Sequence, residues 1–333
     1  MMQTQIEEDP LTKMPTVGIV GTGKIIRESV GAMRQTGWNV AAVWGRSHDK
    51  ACAIAEELSI EKVYATYDEL LTSGVDFVYI GLTNNVHYEF AMKALEMGVN
   101  VLVEKPFCST LEQAAALASK AREKGLYLFE TISNIHLPSW QVVREQLPKI
   151  GDIKLFQADF SQYSSRYKEY LSGVIGSAFD PECDGGTLRD LNIYNLHLAV
   201  DLFGLPEEAI FRATRGHNGI DTSGVALLRY PTMLALCVGA KDSNNSSGVT
   251  IQGEKGWIRI DGMPNLLSSV DVHLLGGESH HYAPNRYEHR LCHQFEHYRT
   301  IFERGDVEAM NRDLDHTLDV MTVLDRLVAD SAS

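Results

Sequence analysis

Thr16-Val17-Gly18-Ile19-Val20-Gly21-Thr22-Gly23-Lys24-Ile25-Ile26 is the stretch that decides the fold. Thr16 to Val20 is a short apolar run and reads as a buried strand. Gly21 and Gly23 follow, and a helical pattern opens after them. Glycines at this spacing permit a tight turn and let a pyrophosphate approach backbone N–H groups at a helix N-terminus. Gly18, Gly21, Thr22, Gly23, Lys24 and Ile25 are therefore candidate cofactor residues. Ile26 stands where the dinucleotide fingerprint has a third small residue, so helix and strand are expected to pack slightly further apart. A glycine turn holding no ligand is the bland alternative; the position between strand and helix weighs against it.

Outward from this loop, strand-like and helix-like segments alternate. Strands are expected over 40–44, 77–80, 101–103 and 126–129. Val86, Phe90, Ala91, Ala94 and Met97 recur at helical spacing, with Gly98 as a stop. Such alternation implies a parallel, doubly wound α/β sheet. The character changes near Pro138. A strand over 155–160 and a helix over 187–203 are expected. Strands over 210–214, 224–229, 234–238, 249–252 and 257–260 then follow without helices between them. That order implies an α+β unit on a largely antiparallel sheet. Helices over 286–304 and 307–329 close the chain. The division is therefore a dinucleotide-binding Rossmann domain over 14–137 and a substrate-binding α+β domain over 138–333.

The chain has 333 residues, of which 44% are hydrophobic and 22% charged, as in ordinary globular proteins. A net charge of −14 argues against nucleic acid as a partner. A local backbone site can still hold phosphate in an acidic protein. The five cysteines are scattered, odd in number and without CxxC spacing, as expected of reduced thiols in the cytoplasm. No apolar run is long enough to span a bilayer, and no secretion signal is visible at the N-terminus. Residues 1–13 read as a loose polar extension.

The end of the second strand bears on the cofactor. An NAD site usually places an acid there for the ribose hydroxyls. This chain instead has Trp44-Gly45-Arg46-Ser47-His48. Arg46 can pair with a 2′-phosphate and Ser47 can donate to it, so NADP is favoured, with NAD as the alternative. Ser47 could equally be only a helix cap.

Val101 to Val103 ends in Glu104-Lys105-Pro106. In open parallel sheets ligands bind beyond the carboxyl ends of the strands, so Lys105 is placed for chemistry. Pro106 disfavours helix at Lys105. Lysine serves as a base only if its pKa is lowered, as a desolvated site beside a cationic nicotinamide would do. A strand-end lysine reaching solvent is the plain alternative.

Taken together, the Gly18 to Gly23 loop, Gly81-Leu82-Thr83-Asn84-Asn85-Val86-His87, Glu104-Lys105-Pro106, the 185–194 stretch (Gly185-Gly186-Thr187-Leu188-Arg189-Asp190-Leu191-Asn192-Ile193-Tyr194) and Gly253-Glu254-Lys255-Gly256 resemble the Gfo/Idh/MocA oxidoreductases. The resemblance covers nearly the whole chain. It implies that Thr83, Asn84, His87 and Glu104 lie at the cofactor. It also implies that Lys105 lies near the nicotinamide and the reacting carbon. The family's Asp-x-Gly-x-His motif reads Asp190-Leu191-Asn192-Ile193-Tyr194 here, with Tyr194 in place of histidine. The proton carrier is thus either Lys105 or Tyr194, with Asp190 orienting the pair. Asp190, Tyr194 and His197 have the spacing of one helix face, which makes His197 a further catalytic candidate. A merely packed helix face is the plain alternative for all three.

Tyr163-Ser164-Ser165-Arg166-Tyr167 is polar and aromatic, as a sugar pocket would be, and makes Tyr163 and Arg166 substrate candidates with Asp190 and Tyr194. The resemblance implies an enzyme transferring hydride between NAD(P) and a sugar or polyol, and a homodimer or higher homo-oligomer formed through the second domain. A glycoside-cleaving enzyme of the same fold and a cofactor-sensing regulator are the alternatives. His293-Gln294-Phe295-Glu296-His297 matches a zinc-protease pattern, with His289 at helical spacing. Leu291, Phe295 and Tyr298 form a packing stripe on the same segment, so an ordinary amphipathic helix is expected and no metal is assigned.

Overall fold

The computed structural model describes residues 14–331; the segment 1–13, read above as an extension, lies outside the described residues. Six strands, β1 (Thr16–Val20), β2 (Asn39–Trp44), β3 (Lys62–Val63), β4 (Phe77–Ile80), β5 (Asn100–Glu104) and β6 (Leu128–Thr131), form one parallel sheet in the order β3-β2-β1-β4-β5-β6. Five helices alternate with them: α1 (Lys24–Gln35), α2 (His48–Leu58), α3 (Tyr67–Leu71), α4 (His87–Glu96) and α5 (Leu111–Lys124). Every residue of β4 is buried, as a central strand covered on both faces requires. Local signals agree with these ends. Ser47 caps α2, Thr66 and Glu69 form a capping box on α3, and Gly125 closes α5 in the left-handed region.

The second half begins with α6 (Pro138–Gln146), β7 (Ile153–Ser161), α7 (Tyr167–Leu171) and α8 (Ile193–Phe203). Seven strands follow: β8 (Glu208–Arg215), β9 (Asp221–Arg229), β10 (Leu234–Ala240), β11 (Gly248–Gly253), β12 (Gly256–Asp261), β13 (Ser269–Leu274) and β14 (Ser279–Tyr282). With β7 they form an eight-stranded sheet, β14-β13-β12-β11-β7-β10-β9-β8. All its pairings are antiparallel except β7 with β10. The α/β architecture with a second, mostly antiparallel sheet is as expected. Alternation along β9, β10 and β12 buries one face and leaves Val225, Leu234 and Trp257 partly exposed on the other.

The last two helices, α9 (Leu291–Glu303) and α10 (Val307–Ser331), return to the first sheet. Trp38 Nε1 donates to the Phe295 carbonyl at 3.0 Å, and Phe295 meets Tyr79 edge-on at 6.0 Å. Phe302 meets Phe77 edge-on, and Tyr298 stacks on Phe129. α9 therefore lies beside α1 on one face of the parallel sheet, in continuous apolar contact with it.

Three local expectations need correction. β6 starts at Leu128, two residues late, because its pairing with 101–104 of β5 sets the register while Tyr127 N–H is taken by the Asn100 side chain. The helix expected over 286–304 begins only at Leu291. The helix expected over 187–203 is not continuous α-helix. Leu188–Asn192 forms a π-helical turn, and α8 starts after it.

Candidate active site

Two cavities meet at the crevice where the order of the parallel sheet reverses, between β1 and β4. The first holds about 410 Å³ and is lined by Gly21, Thr22, Gly23, Lys24, Ile25, Arg46, Ser47 and Thr83. Gly21 has φ +130°, and a Cβ there would lie 2.6 Å from the Gly81 carbonyl oxygen, so the two loops touch through bare backbone. Helix α1 opens on Gly23 with no side-chain cap and no acid in its first turn. Free N–H groups at a helix N-terminus suit a pyrophosphate. The charged lining residues are Lys24, Arg46, Lys50 and Arg166; among the described residues, no carboxylate lines this cavity. Ser47 also accepts Lys50 N–H at 3.4 Å, so it caps α2 as well as facing the cavity.

The second cavity holds about 370 Å³ and shares Lys24, Ile25, Leu82 and Arg166 with the first. Asn84, Glu104, Lys105, Asp190 and Tyr194 line it. β5 delivers Glu104 and Lys105, and the π-helical turn delivers Asp190. That turn depends on Gly186, at φ +99°, where a Cβ would collide with the Asp221 carboxylate. Asp221 in turn accepts Leu188 N–H at 2.7 Å and anchors the start of the turn.

Lys105 Nζ donates to Asp190 Oδ1 at 2.8 Å and to the Asp190 carbonyl at 2.9 Å. Lys241 Nζ donates to Asp190 Oδ2 at 2.8 Å and to the Ala178 carbonyl at 2.6 Å. One carboxylate thus bridges two lysines. Burial resists charge on Asp190, but the two ammonium groups outweigh it and hold the carboxyl well below its usual range. Burial also resists charge on Lys105, yet Asp190 and then Tyr194 and Glu104 raise its pKa above that of an ordinary lysine. The expectation of a lowered lysine pKa is therefore reversed by the protein's own groups. Burial raises the Tyr194 phenol, against Lys105 and Arg290. Lys105 Nζ stands 5.3 Å from the Tyr194 ring centroid. Glu104 is buried, accepts from Tyr79 Oη at 2.5 Å and Thr131 Oγ1 at 2.8 Å, and has its pKa raised by burial.

Four sequence candidates stand away from these cavities. Gly18 lies under Leu70 of α3 and lines neither. His87 is fully buried; its Nδ1 is 3.0 Å from the Pro106 carbonyl and its Nε2 is 3.3 Å from the Leu82 carbonyl. It ties the Lys105 turn to the Leu82 loop from behind. Tyr163 faces a neighbouring groove with Asn245, Ser247 and Arg259. Ladder bonding continues past β7 through Gln162 and Ser164, and those alternate residues line the Lys105 cleft instead.

His197 is the fourth. It is fully buried, with Nδ1 3.0 Å from His316 Nε2 and Nε2 3.4 Å from Glu130 Oε2. On an α-helix a residue three positions on lies about 60° round and about 4.5 Å further along the axis. The wide turn before α8 carries Asp190 to the cleft, and His197 faces β6 and α10. Glu130 is the centre of this buried group. Its Oε1 accepts Phe107 N–H at 3.0 Å and its Oε2 accepts Thr317 Oγ1 at 3.0 Å. Burial opposes its charge, but His197 and Thr317 hold its pKa below the usual value. Glu130 thus braces the Lys105 turn against α8 and α10.

Sequence reasoning missed Lys241, Arg290 and Glu28. Lys241 follows β10 as Lys105 follows β5, and the strand-end argument could have found it. Arg290, just before α9, pairs with Glu28 of α1 at 3.1 Å and lines the second cavity.

A family model described as an oxidoreductase family with an NAD-binding Rossmann fold matches residues 16–131, and one for the GFO/IDH/MocA C-terminal domain matches residues 142–259. The chain is 32% identical over 73% of its length, and 75% of the relative's, to the uncharacterized oxidoreductase YgjR of Escherichia coli. It is 28% identical to scyllo-inositol 2-dehydrogenase (NADP(+)) IolU of Bacillus subtilis, covering 86% of this chain and 88% of that one. Its fold is similar to that of KijD10, a 3-ketoreductase from Actinomadura kijaniata solved with NADP and TDP-benzene, with a TM-score of 0.82, 22% identity and coverage of 96% and 98%. A Rossmann half with an open glycine-lined crevice, a mixed second sheet and both family models on one chain lead to one assignment: the protein belongs to the Gfo/Idh/MocA family of NAD(P)-binding oxidoreductases.

Proposed function

We propose that this protein is an NADP-preferring dehydrogenase or reductase acting on a secondary hydroxyl, or the matching ketone, of a polyol or sugar. The observation that carries this reading is the joining of a cationic, carboxylate-free phosphate crevice to a cleft where Lys105, Asp190 and Tyr194 converge. Gly21 to Ile25 would hold the pyrophosphate and Arg46 with Ser47 the 2′-phosphate. Bound NADP(H) accepts or supplies the hydride. Residues 14–137 would serve the cofactor and 138–333 the substrate.

Lys105 Nζ has three N–H groups, and Asp190 takes two of them. The third is free for a substrate oxygen. In reduction, Lys105 donates that proton to the carbonyl oxygen as the carbon gains hydride. In oxidation, the reverse transfer to Lys105 requires the amine first to lose a proton, which the paired Asp190 opposes. Tyr194 hydrogen-bonds the same oxygen, and Asp190 with Lys241 fixes the ammonium. Arg166, at the junction of the two cavities, holds other substrate oxygens. The half-exposed outer face of the second sheet would close on a second copy, and the free cysteines suit a cytoplasmic setting.

The test is a panel of inositols and aldoses assayed with NADP and NAD, in wild type and Lys105→Met. The expected result is turnover that favours NADP and falls ~10²–10⁴-fold in the variant, with NADPH binding retained. Full turnover in Lys105→Met removes the assigned proton carrier. Binding of NADPH without turnover on any polyol favours the sensing alternative.

A further inference from the structure

The HxxEH stretch of α9 does not assemble as its pattern suggests. Glu296 accepts from Arg286 at 2.6 Å and from Tyr287 at 2.9 Å, and His293 packs edge-on to Tyr287. His297 instead meets two residues from elsewhere in the chain. Asp313 of α10 places Oδ2 2.8 Å from His297 Nε2, and the His136 ring lies 4.3 Å from the His297 ring. We propose that His136, His297 and Asp313 form a binding site for one divalent transition-metal cation, separate from the Lys105 cleft.

Three observations support it. The donors come from three elements: a 3₁₀ turn over Asn134–His136, then α9 and α10. Their ligand atoms lie within 4.8 Å of one another. Metal–ligand distances near 2.1 Å require donors at most ~4.2 Å apart, so small side-chain rotations close the set. Second, His136 has a backing contact: its Nε2 is 3.3 Å from Tyr298 Oη, which itself donates to the Glu130 carbonyl at 2.7 Å. Histidine ligands are commonly oriented by such partners. Third, all three residues are only half-buried, and His136 and His297 open onto a cavity of about 600 Å³. Water can therefore complete the coordination. Two imidazoles and one carboxylate select zinc, nickel, cobalt or iron(II) over magnesium and calcium, which prefer all-oxygen shells.

Asp271 and His281 form a second exposed His–Asp pair, at 2.7 Å, and supply the control. Tag-free, chelator-stripped protein is titrated with Zn²⁺ in excess Mg²⁺ by calorimetry, and metal content is measured after desalting. Co²⁺ is titrated in parallel for its visible absorption. The expected result is one saturable Zn²⁺ per chain, at least ~100-fold weaker in Asp313→Asn and in His297→Gln and unchanged in His281→Gln. Thermal melting and NADPH binding of each variant verify its fold without depending on turnover. Absence of saturable binding in wild type overturns the proposal. So does binding that survives Asp313→Asn in a folded protein, or that is lost in His281→Gln.

Discussion

Replacing Asp190 by Asn removes the one negative charge between Lys105 and Lys241 while keeping the side chain's shape. Asp190 Oδ1 lies 2.8 Å from Lys105 Nζ, and the carboxylate is 33% exposed. At that distance a unit-charge attraction is worth ~1.5 kcal/mol in water and ~6 kcal/mol at an effective dielectric constant of 20. Solvent access to Asp190 places the effective value near the low end, at ~1.5–3 kcal/mol. Each 1.36 kcal/mol moves a titration by about one pH unit. Lys105, raised in the wild type mainly by Asp190, then gives up its proton more easily. The reduction direction needs the protonated amine. The alkaline loss of kcat/KM for ketone reduction is therefore expected ~1–2 pH units earlier in Asp190→Asn than in wild type. The assay is the initial rate of NADPH consumption across a pH series, on whichever ketose or inosose the panel identifies. An alkaline limb that stays in place while the variant still turns over refutes Lys105 as the titrating proton donor.

Arg46→Ala is expected to weaken NADPH binding ~10-fold and leave NADH binding unchanged, since Arg46 is exposed and would contribute one charge-assisted contact; paired fluorescence titrations decide it. Glu130→Ala leaves Phe107 N–H and Thr317 Oγ1 without a buried acceptor, at ~1–3 kcal/mol each, and is expected to lower Tm markedly. Glu130 has a depressed folded pKa, so its stabilisation is present above the unfolded carboxyl value of ~4.3 and is lost as pH falls through the folded value. The Tm gap between wild type and variant should accordingly narrow below about pH 4. Phe295→Ala empties a fully buried position against Tyr79 and is expected to cost ~3–5 kcal/mol in a denaturant melt. A loss under 1 kcal/mol would mean that α9 contributes little to the first sheet.

The parallel half was legible because its strands are short apolar runs bounded by turn signals. β1 and β4 begin and end where the sequence places them, and the helix that Gly98 stops lies where expected, one residue shorter at each end than the Val86 to Met97 pattern. β13 and β14 were not picked out, though β13 does alternate, with Val270 and Val272 buried between Ser269, Asp271 and His273; β14, the edge strand, is Ser279-His280-His281-Tyr282 and has no apolar alternation to read. Lys105 and Asp190 could be picked from strand-end position and motif, but their meeting spans 85 residues. Lys241 reaches Asp190 from the end of β10, a position the strand-end argument covers, whereas Arg290 enters the cleft from later still and nothing near it in sequence announces it. The π-helical turn was equally hidden. It is held by Asp221, a residue that follows it, so the helical spacing from Asp190 to His197 misled.

The return of α9 to the parallel sheet has a consequence for how the chain is made. Trp38 finds its acceptor on Phe295, 257 residues later. On the ribosome, the strands that border the glycine-lined crevice emerge long before the helix that covers Phe77 and Tyr79. Until α9 has been made, that sheet carries an uncovered aromatic face, of the kind that recruits chaperones or sticks to other nascent chains. A protein stopped before α9 would therefore expose this surface permanently, and would be a substrate for quality control even with its glycine loop intact.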